Sequence, residues 1–130
     1  MATTKRVVIS RLGSDDRWRG IMTITRALRD AGMEVIYLGD QLPESIVQSA
    51  IQEDADVIGL SSLSGNHMVL ASSVIRLLRE KGAGDIPVII GGKVPTGDVA
   101  SLKKAGVLEV FAPGTPIEAV ISFIADIEKK

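Results

Sequence analysis

The sequence of 130 residues predicts an α/β domain whose five parallel strands form one doubly wound sheet, with helices on both faces. Three observations predict this fold class. Strand-length apolar runs alternate with helix-length segments along the whole chain. The runs are nearly continuous in Val and Ile, as expected for parallel strands that helices cover on both faces. No linker, repeat or low-complexity tract interrupts the alternation, so residues 1–130 are expected to form a single domain.

The apolar runs mark the expected strands, each five or six residues long. They occupy residues 6–10, 33–38, 56–61, 86–90 and 107–111. Each run is bounded by Gly, Pro or polar residues, which is typical of strands that connect to helices through short loops.

The first two helices are expected directly after the first two strands. The first runs from about Gly20 to Ala31 and stops at Gly32, because glycine commonly ends a helix. The second starts at Pro43, since proline is favoured in the first turn. One face of the second helix is apolar and is expected to be buried; it consists of Ile46, Val47, Ala50 and Ile51.

Start and stop residues also mark the last three helices. Gly82 closes the third helix, and Gly106 closes a short, more polar fourth helix over Thr96–Ala105. The fifth is expected to begin with a capping box, with Thr115 as its N-cap and Pro116 as its first helical residue. The apolar face of the third helix consists of Leu70, Val74, Leu77 and Leu78.

Short, right-handed crossovers leave two common strand orders for such a sheet, the flavodoxin-like order 2-1-3-4-5 and a half-Rossmann order. We predict the flavodoxin-like (Rossmann-type) fold. Both orders place ligand-binding loops at the carboxyl ends of the strands. These loops are residues 11–19, 39–42, 62–66, 91–95 and 112–115.

Composition excludes several classes of partner and site. Fifteen Lys and Arg balance sixteen Asp and Glu, so the charge does not favour a nucleic-acid partner or an anionic membrane surface. The absence of cysteine excludes disulfides and thiolate metal sites, and a reducing cytoplasm is the expected compartment. The sequence has no signal-peptide pattern, and no apolar run approaches the length of a membrane span.

The loops also lack the motifs of several common α/β proteins. A phosphoacceptor receiver domain needs an aspartate at the end of the third strand, where Ser61 and Ser62 stand. Neither a G-x-G-x-x-G dinucleotide motif nor a P-loop is present. His67 is the single histidine, and no G-x-S-x-G elbow accompanies it, so hydrolysis by a Ser–His pair is not expected.

Small residues collect at the predicted strand ends instead. They leave room for a bulky ligand or for the backbone of a partner to approach the edge of the sheet. For any single glycine, a role in a tight turn is the alternative. The small residues are Gly13, Gly20, Ser61, Ser62, Gly65, Gly91 and Gly92.

Four stretches in these loops, residues 13–20, 61–67, 90–95 and 111–116, carry a resemblance to the cobalamin-binding domain of methylmalonyl-CoA mutase and related acyl-CoA mutases. The resemblance covers nearly the whole chain. It implies a small subunit that binds adenosylcobalamin and works with a separate large subunit that binds the acyl-CoA. The implied reaction is a radical isomerisation of a carbon skeleton, and a homo- or hetero-oligomer is implied as well.

The resemblance also assigns cofactor-binding residues. Ser61 would donate a hydrogen bond to the displaced benzimidazole tail of the cofactor. For Thr115 a structural role as N-cap is the alternative, and for Phe111 a place in the core. The residues that would line the groove for the tail are Leu63, Gly65, Gly91, Gly92, Phe111 and Thr115. The remaining cofactor-binding positions are Asp15, Arg17, Gly20 and Ile24.

The sequence departs from the family at the residue that would contact cobalt. The family pattern is Asp-x-His-x-x-Gly, and here Asp15, Arg17 and Gly20 occupy its fixed positions. Arginine stays protonated and has no lone pair to offer a metal, so no protein ligand to cobalt is expected at Arg17. His67 aligns with a different histidine of the family and is not expected to replace the ligand. For Trp18 two roles are open, packing under the corrin face of the cofactor or against a partner subunit, and we favour the partner.

Two other functions stay open on the sequence alone. The chain could be a non-catalytic structural or regulatory relative that has lost cobalamin, an alternative that the arginine at position 17 favours. It could also be a cobalamin carrier or sensor that acts without a large subunit. The retained Ser61, Leu63, Gly91 and Gly92 favour cobalamin binding over its loss.

Overall fold

A computed structural model describes residues 5–11, 19–62, 67–92, 96–111 and 115–127. Strands and helices alternate through these residues, as predicted. The strands are β1 (Arg6–Arg11), β2 (Glu34–Asp40), β3 (Val57–Ser62), β4 (Val88–Gly92) and β5 (Glu109–Phe111). The helices are α1 (Arg19–Asp30), α2 (Pro43–Gln52), α3 (His67–Glu80), α4 (Thr96–Ala105) and α5 (Ile117–Ala125).

The five strands form one sheet in the order β2-β1-β3-β4-β5, and the paired strands are parallel. This order confirms the flavodoxin-like prediction and rules out the half-Rossmann alternative. Because parallel strands share one direction, their carboxyl ends lie at a single edge of the sheet, where ligands bind in such folds.

Helices cover both faces of the sheet, which confirms the doubly wound architecture. Alternate residues of a strand point to opposite faces, and the buried residues separate accordingly. On one face, α2, α3 and α4 pack on side chains such as Val8, Ile58 and Ile90. On the other face, α1 and α5 pack on side chains such as Val7 and Ile89.

The strand boundaries differ from the predicted ones by up to two residues. β4 starts two residues late because the amide of Ile86 donates to the carbonyl of Ala83, in a turn, instead of to the sheet. β5 also starts late, since the amide of Val107 donates to the carbonyl of Leu102 at the end of α4. Each of these strands is preceded by a turn that follows a helix, and apolar content alone does not distinguish such a turn from strand.

Two predictions about the helices are wrong. Ile51 is 39% exposed, because it lies at the margin of the α2 face on which Ile46, Val47 and Ala50 are fully buried. The N-cap of α5 is Pro116, in an extended conformation (φ −58°, ψ 137°) and without a side-chain cap. The Pro116 carbonyl accepts the amide of Ala119 at 3.0 Å, so the helix begins one residue later than a Thr115 capping box requires.

A polar network closes the amino edge of the sheet around Arg6. The Arg6 amide donates to Asp56 at 2.8 Å, and its guanidinium donates to Glu34 at 2.7 Å and to the Glu53 carbonyl at 2.6 Å. The hydrogen bond to Glu34 and the charge of that carboxylate raise the pKa of Arg6. Nearby, the Lys5 ammonium donates to the carbonyl of Ile127. The polar groups at the amino edge of the sheet are thus hydrogen-bonded to one another. The carboxyl edge is therefore the candidate for ligand binding.

An ion pair fastens α4 to β5 and makes stability depend on pH. The Lys103 ammonium lies 2.9 Å from the Glu109 carboxylate, and it lowers the pKa of Glu109 together with the Val110 amide. Because the pKa of Glu109 is lower in the folded chain than in the unfolded chain, the ion pair stabilises the fold at pH values above the unfolded pKa. This stabilisation is lost as the pH falls through the folded pKa. At pH 7 we expect Lys103→Met to cost about 0.5 kcal/mol, the scale of a partly exposed pair.

Urea unfolding of Lys103→Met across pH measures this contribution, and Lys104→Met is the matched control on the same helix. The difference between the two variants should shrink as the pH falls below roughly 4, where carboxylates protonate. A difference that persists in acid would show that lost packing of the Lys103 stem, and not its charge, destabilises the variant.

Among the described helices, none is long and apolar enough to cross a membrane.

Candidate functional site

Three residues that the sequence assigns to the cofactor groove lie side by side at the carboxyl edge of the sheet. In the register of β3 and β4, Ser61 is paired with Gly91. In the register of β4 and β5, Gly91 is paired with Phe111. The three residues therefore form one row across neighbouring strands, although up to 50 positions separate them in the sequence.

This row faces the α1 and α5 side of the sheet. Phe111 and Ile89 belong to the cluster of side chains under these two helices. Because alternate residues of a strand share a face, Gly91 lies on the same side as Ile89. By the same rule Ser61 lies on the side of Val57 and Gly59, of which Val57 belongs to that cluster. The groove that we consider is thus bounded by the carboxyl ends of β3, β4 and β5 below and by α1 and α5 above.

Two glycines form the floor of the groove, on the central strands β3 and β4. A Cβ atom added at Gly91 would have only the Phe111 carbonyl oxygen nearby, at 4.0 Å. A Cβ at Gly59 would meet the Ile9 side chain at 3.6 Å, an ordinary contact. Both glycines are only half-buried, although the strands that hold them lie inside the sheet. A Cβ would fit at either position without a clash, so the missing side chains leave a trough open above the sheet.

The sequence analysis missed Gly59. It lies inside the Val-, Ile- and Leu-rich β3 strand, two residues before Ser61. A glycine in a strand interior weakens the strand and often marks the close approach of a ligand. The sequence therefore contains a signal for Gly59, although this residue lies within a strand and outside the loops at the strand ends.

Gly92 serves a different purpose from Gly91. Its φ of +123° lies in the region that favours glycine, so a side chain at this position would strain the backbone. Gly91 has no such requirement and is distinguished by the open space above it. The Gly-Gly pair therefore combines a backbone conformation that favours glycine, at the end of β4, with an open floor beside it.

Side chains of α1, β5 and the start of α5 stand around this floor. Ile24 of α1 is half-buried and packs in the same cluster as Phe111. The Phe111 ring meets the Phe123 ring edge to face, with centroids 5.3 Å apart at 81°. This pairing, a favourable geometry for aromatic rings, anchors Phe111 to α5. Thr115 is half-buried directly before α5 and interacts with another group of the chain.

Several predicted site residues lie outside the described part of the chain. They are Asp15, Arg17, Leu63 and Gly65, and Trp18 lies there too. Gly20 is in the first turn of α1, and His67 is the first residue of α3. Within the described residues, the structure thus brings together Ser61, Gly91 and Phe111 of the predicted tail groove. The loop that contains Asp15 and Arg17 lies outside these residues.

The chemistry of the described groove suits an uncharged, flat group. Its floor is glycine, its walls are Ile24 and Phe111, and Ser61 contributes a hydroxyl that no other described residue engages by hydrogen bond. Among the described residues, the two ionisable groups with a shifted pKa, Arg6 and Glu109, lie outside the row of Ser61, Gly91 and Phe111. No cluster of three or more metal-ligating side chains occurs among the described residues.

A fold of this order with an open groove at its carboxyl edge defines a small-molecule-binding α/β domain. A sequence profile of the B12 binding domain matches residues 5–121. The chain belongs to the B12 binding domain family.

Relatives are identified among subunits of acyl-CoA mutases. The chain is 47% identical to the 2-hydroxyisobutanoyl-CoA mutase small subunit of Aquincola tertiaricarbonis, covering 94% of this chain and 90% of the relative. It is 38% identical to the pivalyl-CoA mutase small subunit of Xanthobacter autotrophicus, covering 96% and 84%. It is also 41% identical to a methylmalonyl-CoA mutase of Cereibacter sphaeroides, covering 94% of this chain but only 17% of that much longer relative.

Solved structures share the fold at low sequence identity. A cobalamin-binding protein from Desulfitobacterium hafniense superposes with a TM-score of 0.76 at 20% identity, over 92% of this chain and 57% of that one. A putative response regulator from Chloroflexus aurantiacus superposes with a TM-score of 0.74 at 16% identity, over 96% and 98%. Since receiver-type and cobalamin-binding proteins have the same architecture, these likenesses concern the fold alone.

Proposed function

We propose that this chain is the cobalamin-binding small subunit of an adenosylcobalamin-dependent acyl-CoA mutase. A separate large subunit would bind the acyl-CoA. Two relatives named as small subunits of acyl-CoA mutases match this chain over nearly its whole length, which supports a subunit of the same kind. The particular acyl-CoA would be selected by the large subunit and not by residues of this chain.

The row of Ser61, Gly91 and Phe111 is the observation on which this proposal rests. The groove over Gly59 and Gly91 would hold the nucleotide tail of the cofactor, because the missing side chains leave room for a flat ring. Ser61 would donate its hydroxyl hydrogen to a ring nitrogen of the tail. An apolar groove with one well-placed polar group is the usual composition of a cofactor site.

When bound, adenosylcobalamin supplies the radical chemistry of the isomerisation. The residues of this chain would bind and orient the cofactor. Phe111, anchored by Phe123, and Ile24 would exclude water from the tail. Gly92, which has no side chain, would let the backbone at the end of β4 come close to it. A rigid groove fixes the position of the whole cofactor relative to the large subunit, and such positioning is a main contribution of proteins to cofactor chemistry.

At the cobalt end we propose that no side chain of this subunit ligates the metal. Arg17 takes the position of the family histidine and has only hydrogen-bond donors to offer. Asp15, which would orient a histidine in the family pattern, would instead pair with Arg17. With the tail held in the groove, the cofactor would then have a nitrogen ligand neither from this chain nor from its own base.

Reconstitution tests the proposed function. The large mutase subunit of the same organism should isomerise its acyl-CoA only when both this chain and adenosylcobalamin are added. Activity without this chain would identify it as a non-catalytic relative, the alternative that Arg17 favours. Cobalamin binding by this chain with no effect on any large subunit would instead identify a carrier or sensor.

Replacing Arg17 with histidine should restore a nitrogen ligand to cobalt. If the loop still faces the metal, the absorption spectrum of bound cobalamin should shift to that of the histidine-ligated form, since imidazole is a good ligand and guanidinium is not. Arg19→His is the matched control, a histidine in the same segment at a position outside the family motif, and should give no shift. An unchanged spectrum of Arg17→His would show that this loop no longer serves the cobalt site.

A further inference from the structure

A second groove runs along the outer side of α3, next to α4, on the sheet face opposite α1 and α5. It has a volume of about 730 Å³ and is open to solvent. Ile75, which is nearly fully buried, forms part of its lining together with the end of α4 at Ala105. This groove is separate from the one proposed for the cofactor, which opens on the other face.

The side chains along the groove form one stripe on α3. Val69, Ser72, Arg76 and Arg79 follow one another at helical spacings of three or four residues, and all line the groove. At a rise of about 1.5 Å per residue, the stripe is about 15 Å long, enough for an extended peptide or two turns of a helix. A stripe of this length presents a linear binding surface.

The groove is positively charged at its lower end. Arg76 and Arg79 are exposed, and neither makes an ion pair with any described residue. The Arg79 guanidinium lies beside Gly106, where an added Cβ would be 3.0 Å from it. Glu80 contributes the one carboxylate of the lining. In a chain of net charge −1, this arrangement favours an acidic occupant.

The upper end of the groove is apolar and lies near the carboxyl edge of the sheet. Val69, in the first turn of α3, is 70% exposed. An exposed Val at a groove mouth gives an apolar contact point for a partner. A partner that lies against the carboxyl edge could therefore continue along α3 and reach Arg76 and Arg79.

We propose that this groove docks an acidic segment of the large mutase subunit, an inference that rests on the proposed function. In the methylmalonyl-CoA mutase relative, the region that matches this chain is 17% of a longer chain. That region is therefore joined covalently to the rest of the mutase. Such a connection gives an effective concentration on the order of millimolar. A separate small subunit has no such connection and needs additional binding surface. The charged and apolar stripe of α3 supplies that surface at a distance from the cofactor groove.

Charge reversal at Arg76 tests this inference with the full-length chain and the large subunit of the same organism. Arg76→Glu should weaken the equilibrium binding at least tenfold, measured by titration calorimetry. Arg26→Glu is the matched control, an equal charge change on an exposed position of α1, and should alter binding less than twofold. Binding of the unaltered chain should also weaken with added salt, more steeply than binding of Arg76→Glu.

The outcomes separate this inference from the proposed function. If the unaltered chain does not bind the large subunit at all, the proposed function fails and this inference fails with it. If it binds, and Arg76→Glu binds equally well while remaining folded by circular dichroism, only the docking inference is wrong. A change in self-association of the chain alone on Arg76→Glu would also overturn it, because the occupant would then be a second copy.

Discussion

Replacing Gly91 with valine should abolish retention of cobalamin while leaving the fold intact. A Cβ at this position meets only one atom, at 4.0 Å, so the valine side chain begins in open space. Valine also favours a strand, and stability should stay equal or rise by up to about 1 kcal/mol. The same side chain would occupy the floor of the groove proposed for the nucleotide tail. We expect cobalamin affinity to fall by at least about 100-fold, or roughly 2.7 kcal/mol.

Equilibrium titration with cobalamin, followed by absorption, measures this effect. Gly91→Ala should give an intermediate loss, because a methyl group fills less of the trough. Gly97→Val is the matched control, the same change at an exposed helical glycine with nothing within 4 Å, and should leave affinity unchanged. If Gly91→Val binds cobalamin as tightly as the unaltered chain, the tail does not lie over Gly91.

Truncating Ile58 to alanine should cause the largest loss of stability. Ile58 is fully buried on the central strand β3, where it is paired with Val8 of β1 and Val88 of β4 under α2 and α3. Removing its side chain loses apolar burial and leaves a cavity that neighbouring strands hold open, a combination that costs about 3–4 kcal/mol. Because the whole stability of such domains is about 5–15 kcal/mol, the variant should unfold at a clearly lower urea concentration.

Urea unfolding followed by circular dichroism measures the difference. Ile51→Ala is the matched control, because Ile51 is 39% exposed and its truncation should cost less than about 1 kcal/mol. Equal losses for the two variants would contradict the burial pattern of the sheet and of α2.

The architecture could be predicted because several properties of the sequence agree. Continuous Val and Ile in the strands require cover on both faces, and this requirement, with right-handed crossovers, leaves few topologies. Side-chain burial and capping at the margins and ends of the helices could be predicted less well. Ile51 continues the apolar composition of α2, but the angle at which the helix packs on the sheet decides whether it is buried. Thr115 and Pro116 match a capping box, yet the backbone of Pro116 takes the N-cap position itself.

The groove could be predicted in part. Ser61, Gly91 and Phe111 follow from the resemblance, but their alignment in one row depends on strand register, which the sequence does not specify. Gly59 can be recognised in the sequence as a glycine inside a strand. That it lies beside this row follows only from the sheet, in which Gly59 and Ser61 are on the same face of β3. The groove along α3 depends on how α4 packs beside α3, a tertiary relation that helical periodicity alone does not predict.

The electron paramagnetic resonance spectrum of the protein loaded with cob(II)alamin tests the central claim most directly. A nitrogen ligand below cobalt splits the cobalt lines through its nuclear spin. With the tail in the groove and Arg17 at the family histidine's position, the account predicts lines without this nitrogen splitting. A spectrum with nitrogen splitting would contradict it, and labelling histidine with nitrogen-15 would then show whether His67 or the cofactor's own base is the ligand.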